Sequence, residues 1–207
     1  MPKAPVLLGL WLLLCTLTPG HAQAPQARKK VVVIAGLPGS GKTTLSKSLA
    51  GAMKARRHTC GDVVRGWIRA HGLPYTPEND RRASQHFART PGEIARQLSK
   101  KIDRSRKPIH IVDGVRSPAD LKVLDERYDV RVVALKLPRK IRFERMLARG
   151  RFAGEDASYL TRRDRREIGL GLLHVLRKPF VRIETKGPIS RVPERARGLS
   201  ELLQNSW

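Results

Sequence analysis

Residues 36 to 43 read Gly-Leu-Pro-Gly-Ser-Gly-Lys-Thr, three glycines within eight residues followed by a lysine and a hydroxyl. On the N-terminal side lies Val31 to Ala35, a β-branched, apolar run with the composition of a strand buried on both faces. On the other side Leu45, Leu49 and Met53 recur at helical spacing, which predicts a first helix from Gly41 to about Arg57. The glycines permit backbone angles and close approaches that a Cβ would block. Successive N–H groups and the start of the helix are thereby aimed at one point, where they favour an anion. The pattern G-x-x-x-x-G-K-[ST], set between a strand and a helix, is that of a loop cradling nucleotide phosphates. Gly36, Leu37, Pro38, Gly39, Ser40, Gly41, Lys42, Thr43 and Thr44 are therefore the candidate ATP-binding residues. Lys42 is expected to reach the outer phosphates, and the Thr43 hydroxyl to hold Mg²⁺.

The rest of the chain alternates strand and helix signals. A weaker strand is expected at Arg57 to Cys60, and a helix from near Asp62 with Val63, Val64, Trp67 and Ile68 on one face, broken at Gly72-Leu73-Pro74. Ile94, Leu98 and Ile102 mark another helix, with Thr90-Pro91 as its N-cap and first residue. Ile109 to Val112 reads as a short buried strand ending at Asp113-Gly114, and Ser117-Pro118 opens a helix carrying Leu121 and Leu124. Val130 to Leu137 is the next strand, stopped by Pro138. Ile141, Met146 and Leu147 lie on a helix that runs into Arg149-Gly150-Arg151. A helix around Tyr159 to Ile168, a strand at Phe180 to Ile183 and a closing helix with Leu199, Leu202 and Leu203 complete the series. Such alternation argues for a single α/β domain over residues 30–207, with a five-stranded parallel sheet covered by helices on both faces. Asp113, at the end of its strand, stands where a carboxylate faces Mg²⁺ or its water shell in a phosphate-loop protein.

Charge bears on partners. Forty-two Lys and Arg against eighteen Asp and Glu give +24, a field that favours polyanions: nucleotides, RNA or an anionic surface. The excess is spread along the chain, which argues against a dedicated nucleic-acid arm. Cys15 and Cys60 are too few for a disulfide framework, and the histidines are scattered without partners at metal-ligand spacing. Residues 1–29 form a leader-like extension. Val6 to Leu17 is apolar, Lys3 precedes it, and Ala22-Gln23-Ala24 resembles a cleavage site. The run is short of the roughly twenty residues of a membrane span, so no stable membrane insertion is expected. An ATP-binding loop points instead to the cytoplasm; a transit peptide, export, or a start site further along are the alternatives.

Two further segments sharpen the reading. Gly36 to Thr44 resembles the phosphate loop of adenylate kinase and other nucleoside monophosphate kinases. Thr59-Cys60-Gly61-Asp62-Val63-Val64-Arg65 resembles that family's T-G-D-x-x-R segment with one residue interposed, and Asp113-Gly114-Val115-Arg116 its D-G-x-x-R stretch with the arginine one place early. Arg145, Arg149 and Arg151, followed by Glu155-Asp156 and Arg162-Arg163, resemble the family's lid, here about residues 149–163. Thr185-Lys186-Gly187 falls where the family passes a loop beside the donor base. The likeness is tightest to a chiefly archaeal set of adenylate-kinase-like proteins with G-D-V-V-R, D-G-x-R-S and R-D-x-R-E, matched here by Gly61 to Arg65, Asp113 to Ser117 and Arg163 to Glu167.

The resemblance implies transfer of a phosphoryl group from ATP to a small phosphorylated acceptor such as a nucleoside monophosphate. Lys42, Arg149 and Arg151 would stabilise the transferring group, and Thr43 and Asp113 would position Mg²⁺. Asp62, Arg65 and Arg116 would orient the acceptor, with Arg163 beside them and Arg116 between the two substrates. Bidentate arginines suit a phosphorylated acceptor better than a bare hydroxyl. Two other readings stay open: an ATP-dependent RNA- or ribosome-associated assembly factor that uses nucleotide as a switch, and a kinase for a non-nucleotide coenzyme precursor.

Overall fold

The computed structural model describes residues 27–150 and 156–207. Its centre is a five-stranded, wholly parallel sheet in the spatial order β2-β3-β1-β4-β5. The strands are β1 (Lys30–Gly36), β2 (Arg56–Thr59), β3 (Ile109–Asp113), β4 (Asp129–Lys136) and β5 (Val181–Glu184). Val31 to Ala35 are wholly buried in the middle of it, as expected of a strand covered on both faces.

The helices are α1 (Lys42–Ala52), α2 (Cys60–Ala70), α3 (Pro77–Ala88), α4 (Glu93–Asp103), α5 (Pro118–Arg127), α6 (Arg139–Arg149), α7 (Ala157–Gly169), the short α8 (Leu172–Val175) and α9 (Val192–Gln204). Alternation along β1 divides the core in two. Val32 and Ile34 meet Leu45 and Leu49 of α1 and Ala196, Leu199 and Leu203 of α9. Val31, Val33 and Ala35 face the layer built by α2, α4, α5 and α8 through residues such as Val64, Leu98, Leu124 and Leu172.

Several boundaries differ from the sequence expectation. The first helix stops at Ala52 rather than near Arg57, because Lys54 turns into a left-handed conformation (φ 50°) and Arg56 to Thr59 are taken up by pairing with β3. The second helix starts at Cys60, two residues before Asp62, with the Thr59 hydroxyl accepting the Asp62 N–H at 2.9 Å. Helix α3 carries no apolar periodicity and has no counterpart in the sequence expectation. Its signal is Thr76-Pro77, a capping threonine whose hydroxyl accepts the Asn79 N–H, followed by a proline at the first position. Thr90 belongs to the end of that helix, donating its hydroxyl hydrogen to His86 O at 3.2 Å; Gly92, left-handed at φ 79°, caps α4 instead. Ser117 caps α5 as expected.

Register places the site. Thr59 of β2, Asp113 of β3 and Ile34 of β1 lie side by side, and Gly36 stands next to Leu135 of β4. The C-terminal ends of the central strands thus open onto one edge, at the point where the strand order reverses, the usual place for a ligand in an open α/β sheet. No helix among the described residues is long and apolar enough to cross a membrane; the leader-like segment to residue 24 lies outside the described residues.

Candidate functional site

The loop from Gly36 to Thr43 leaves β1 and enters α1 through Gly41, which is left-handed at φ 88° and gives the helix no side-chain cap. The loop borders a cleft of about 650 Å³ that is also lined by residues of α2, α3, α6 and α7. Gly39 is required here. Its φ is 77°, and a Cβ would lie 2.6 Å from the Arg142 carbonyl. Lys42 folds back over the loop, donating to the carbonyls of Gly36 at 2.6 Å and Leu37 at 2.9 Å. Burial lowers its pKa, while the carboxylates of Glu167 and Asp113 work in the opposite direction.

The loop is anchored from outside. Arg142, 4% exposed in α6, donates Nη1 to Pro38 O at 2.9 Å and grips Asp164 of α7 with both terminal nitrogens at 2.9 and 2.7 Å. Thr185 donates its hydroxyl to Ser40 O at 2.8 Å, and Arg145 donates to the carbonyls of Thr185 and Gly187. The segment Thr185–Gly187 therefore borders the phosphate loop.

Asp113 is buried, and its Oδ2 accepts Arg57 Nη2 at 2.6 Å and the Ser46 hydroxyl at 3.2 Å. Arg57 Nε in turn donates to Ser46 Oγ at 2.7 Å. Arg57 sits on edge strand β2 on the face toward α1, a position that follows from strand alternation only once the register is known. Thr43 and Asp113 both line the cleft and offer the hard oxygen donors that Mg²⁺ prefers. The carboxylate is shared with Arg57.

Across the cleft, Asp62 and Arg65 pair with one another at 2.5 Å along the first turns of α2. Burial opposes ionisation of Asp62, but the Arg65 and Thr59 hydrogen bonds outweigh it and hold the carboxyl below the usual range. Arg116, just beyond β3, lies 3.6 Å from Glu167, and Arg163 lies 3.8 Å from the same oxygen. Glu167 is 1% exposed and its second oxygen has no hydrogen-bond partner, nor have the buried Nε atoms of Arg116 and Arg163. Burial pushes the Glu167 pKa up, yet Arg116, Lys42, Arg163 and Arg166 together bring it below the ordinary value.

The structure brings Lys42, Thr43, Asp62, Arg65, Asp113, Arg116, Arg149 and Arg163 to one cleft. Arg149 is exposed at the end of α6. Arg151 and Glu155 lie outside the described residues, so the expected lid is represented only by its two flanks. Arg57, Arg142, Asp164 and Glu167 are not among the residues expected from sequence to be functional, although Asp164 and Glu167 belong to the R-D-x-R-E segment. The histidines include one buried pair: His58 Nε2 and His110 Nδ1 are 3.0 Å apart, with His110 Nε2 at 2.9 Å from Lys107 O.

A phosphate loop at the reversal point of a parallel sheet, with helices on both faces, defines a P-loop domain of the kinase type. The same fold is found in shikimate kinase from Acinetobacter baumannii (TM-score 0.61, 16% identity, 86% of this chain and 94% of that one). A gluconokinase from Sinorhizobium meliloti is a weaker match (TM-score 0.50, 19% identity, 87% and 97%). The chain belongs to the AAA domain family, whose pattern matches residues 32–167, and to the UPF0200 proteins. The UPF0200 protein of Hyperthermus butylicus is 34% identical over 154 residues, covering 72% of this chain and 82% of the relative.

Proposed function

We propose that this protein transfers the γ-phosphoryl group of ATP to a small acceptor molecule bound in the same cleft. The observation that carries the reading is the sharing of one cleft by two sets of residues. The phosphate loop supplies a donor side, and Asp62, Arg65, Arg116 and Arg163, from three other segments, face it. A hydrolytic switch needs the first set alone; a transferase needs both.

Phosphoryl transfer asks mainly for alignment, charge neutralisation and exclusion of water. The loop amides and Lys42 take the phosphates, Lys42 exchanging its two carbonyl partners for phosphate oxygens. Thr43 and Asp113 are the residues that would hold Mg²⁺, which supplies neutralisation of charge on the outer phosphates. Arg149 closes over the donor from α6, with Arg151 in the segment beyond it. Glu167 holds Arg116 and Arg163 at the junction of the two substrates, and Arg65, steered by Asp62, meets the acceptor's anionic group. Shikimate kinase and gluconokinase by their names act on small molecules, which supports a small acceptor over a macromolecular one.

The test is ADP formation from Mg-ATP with and without a panel of small acceptors. At least one acceptor is expected to stimulate turnover at least about tenfold, and Lys42→Ala to abolish it. Activity surviving in Lys42→Ala would sink the site assignment. Salt-dependent RNA binding combined with acceptor-independent ADP formation would favour the assembly-factor reading.

A further inference from the structure

A second cavity of about 380 Å³ adjoins the cleft and shares Val64, Gly114 and Arg116 with it. It lies between α2, the end of α3, the start of α5 and the end of α7. Its wall is largely carbon, from Val64, Phe87, Ile94, Ala119 and Leu170. The polar side chains along it are already engaged with the protein itself. Asp120 accepts the Ala95 N–H at 3.0 Å and the Ser117 hydroxyl at 2.7 Å, and Ser84 donates to Asp80 O at 2.7 Å. The exception stands at the mouth. The Arg116 Nε is buried without a hydrogen-bond partner, and its terminal nitrogen only approaches Glu167, at 3.6 Å.

A nucleobase or a sugar entering this space would give up hydrogen bonds to water and find few in exchange, chiefly the spare acceptor positions of Asp120, Ser84 and Ser117. Each such loss weakens binding by about tenfold or more. An apolar group would lose nothing and would shed its own hydration. A negative charge at its near end would meet the Arg116 guanidinium, whose fork of donors suits a phosphate, with Arg65 lining the adjoining cleft.

We propose that this cavity receives the body of the acceptor, and that the acceptor is a compact, apolar-bodied phosphate monoester, not a nucleoside monophosphate. The proposal rests on the transferase reading above and narrows it. In the step it implies, an oxygen of the acceptor's phosphate attacks the γ-phosphorus as the bond to the β–γ bridging oxygen breaks. ADP leaves with that electron pair, the acceptor becomes a diphosphate monoester, and any proton on the attacking oxygen passes to solvent.

Phenyl phosphate is the probe, measured by calorimetry against the full-length protein saturated with a non-hydrolysable ATP analogue and Mg²⁺. It is expected to bind at least about tenfold more tightly than AMP, CMP or UMP. Ala88→Trp, at an exposed helix end on the cavity wall, should weaken phenyl phosphate about tenfold and leave the ATP analogue within about twofold; Ala119→Leu provides an independent obstruction. A nucleoside monophosphate binding as tightly as phenyl phosphate, or no binding by either, would overturn the proposal. So would unchanged phenyl phosphate affinity in both filled variants. Benzoate binding as tightly as phenyl phosphate would overturn the phosphate assignment by making the head a carboxylate. Failure of the ATP analogue to bind the wild-type protein is a different result, and it would remove the transferase reading itself.

Discussion

Glu167 is the residue whose chemistry is least expected in a cleft bordered by a phosphate loop, since it brings a buried negative charge where the proposed nucleotide would place its phosphates. Its neighbours explain it. Lys42, Arg116, Arg163 and Arg166 surround it closely enough to keep it ionised despite burial, and without a counter-charge these cations would repel one another in a cleft of low dielectric. Glu167→Gln should therefore lower the stability of the nucleotide-free protein by about 3 kcal/mol while tightening an ATP analogue several-fold, because phosphates then supply the missing charge. Thermal melts with and without the analogue would check both signs. A weaker analogue affinity in Glu167→Gln would mean that the carboxylate helps to hold the nucleotide. Much of the cleft was legible residue by residue: the loop from its own spacing, and Asp62, Arg65, Asp113 and Arg116 from short segments that resemble a family. Arg57 and Glu167 were not. Arg57 meets Asp113 across the sheet edge and Glu167 meets Arg116 from another helix, at sequence separations that no local pattern encodes; only the Arg163–Glu167 spacing along α7 is local.

Among the elements, α6 and α7 are held to the phosphate loop through one buried contact. Arg142 spans Pro38 O and both oxygens of Asp164, and its Nε is buried without a partner. Removing the carboxylate leaves a guanidinium that is 4% exposed with a single remaining acceptor. Asp164→Ala should cost about 3–5 kcal/mol, the range for breaking a buried pair from one side. At about 2–4 °C per kcal/mol for a chain of this size, the melting temperature should fall by at least about 6 °C. An unchanged melting temperature would show that the two helices are held by packing alone. The strands and most helices could be read from apolar periodicity because their buried faces are aliphatic. Helix α3 could not, since Ala83, Ser84 and Phe87 are its only buried residues, and Asp80 is tied by Arg166 to α7 at 2.8 Å. Its existence is a tertiary outcome announced only by its cap.

For the whole molecule, charge and burial act together on acidification. A net charge of +24 already opposes the compact state by self-repulsion, and every histidine that protonates adds to it. The pair at His58 and His110 adds a specific term. Lys107 O can only accept, so His110 donates from Nε2 and its Nδ1 accepts from His58 Nε2; both rings are neutral in this arrangement. Burial, together with His110, Arg56 and Lys101, holds the His58 pKa down at about 4 against an ordinary 6.5. A depressed histidine contributes stability that is complete above the unfolded value and is lost as pH falls toward the folded one. The loss is therefore expected between about pH 6.5 and 4, and it amounts to about 3 kcal/mol at 1.36 kcal/mol per pKa unit. The two causes separate by salt, since about 1 M salt reduces the screening length to about 3 Å and quenches long-range repulsion but leaves a buried pair largely untouched. Urea midpoints measured in high salt at pH 7.5, 5.5 and 4.5 should still fall with acid in the wild-type protein. His58→Gln keeps a donor for His110 but does not titrate, and its midpoints should fall less. Parallel lines for the two proteins in high salt would place the acid sensitivity outside this pair.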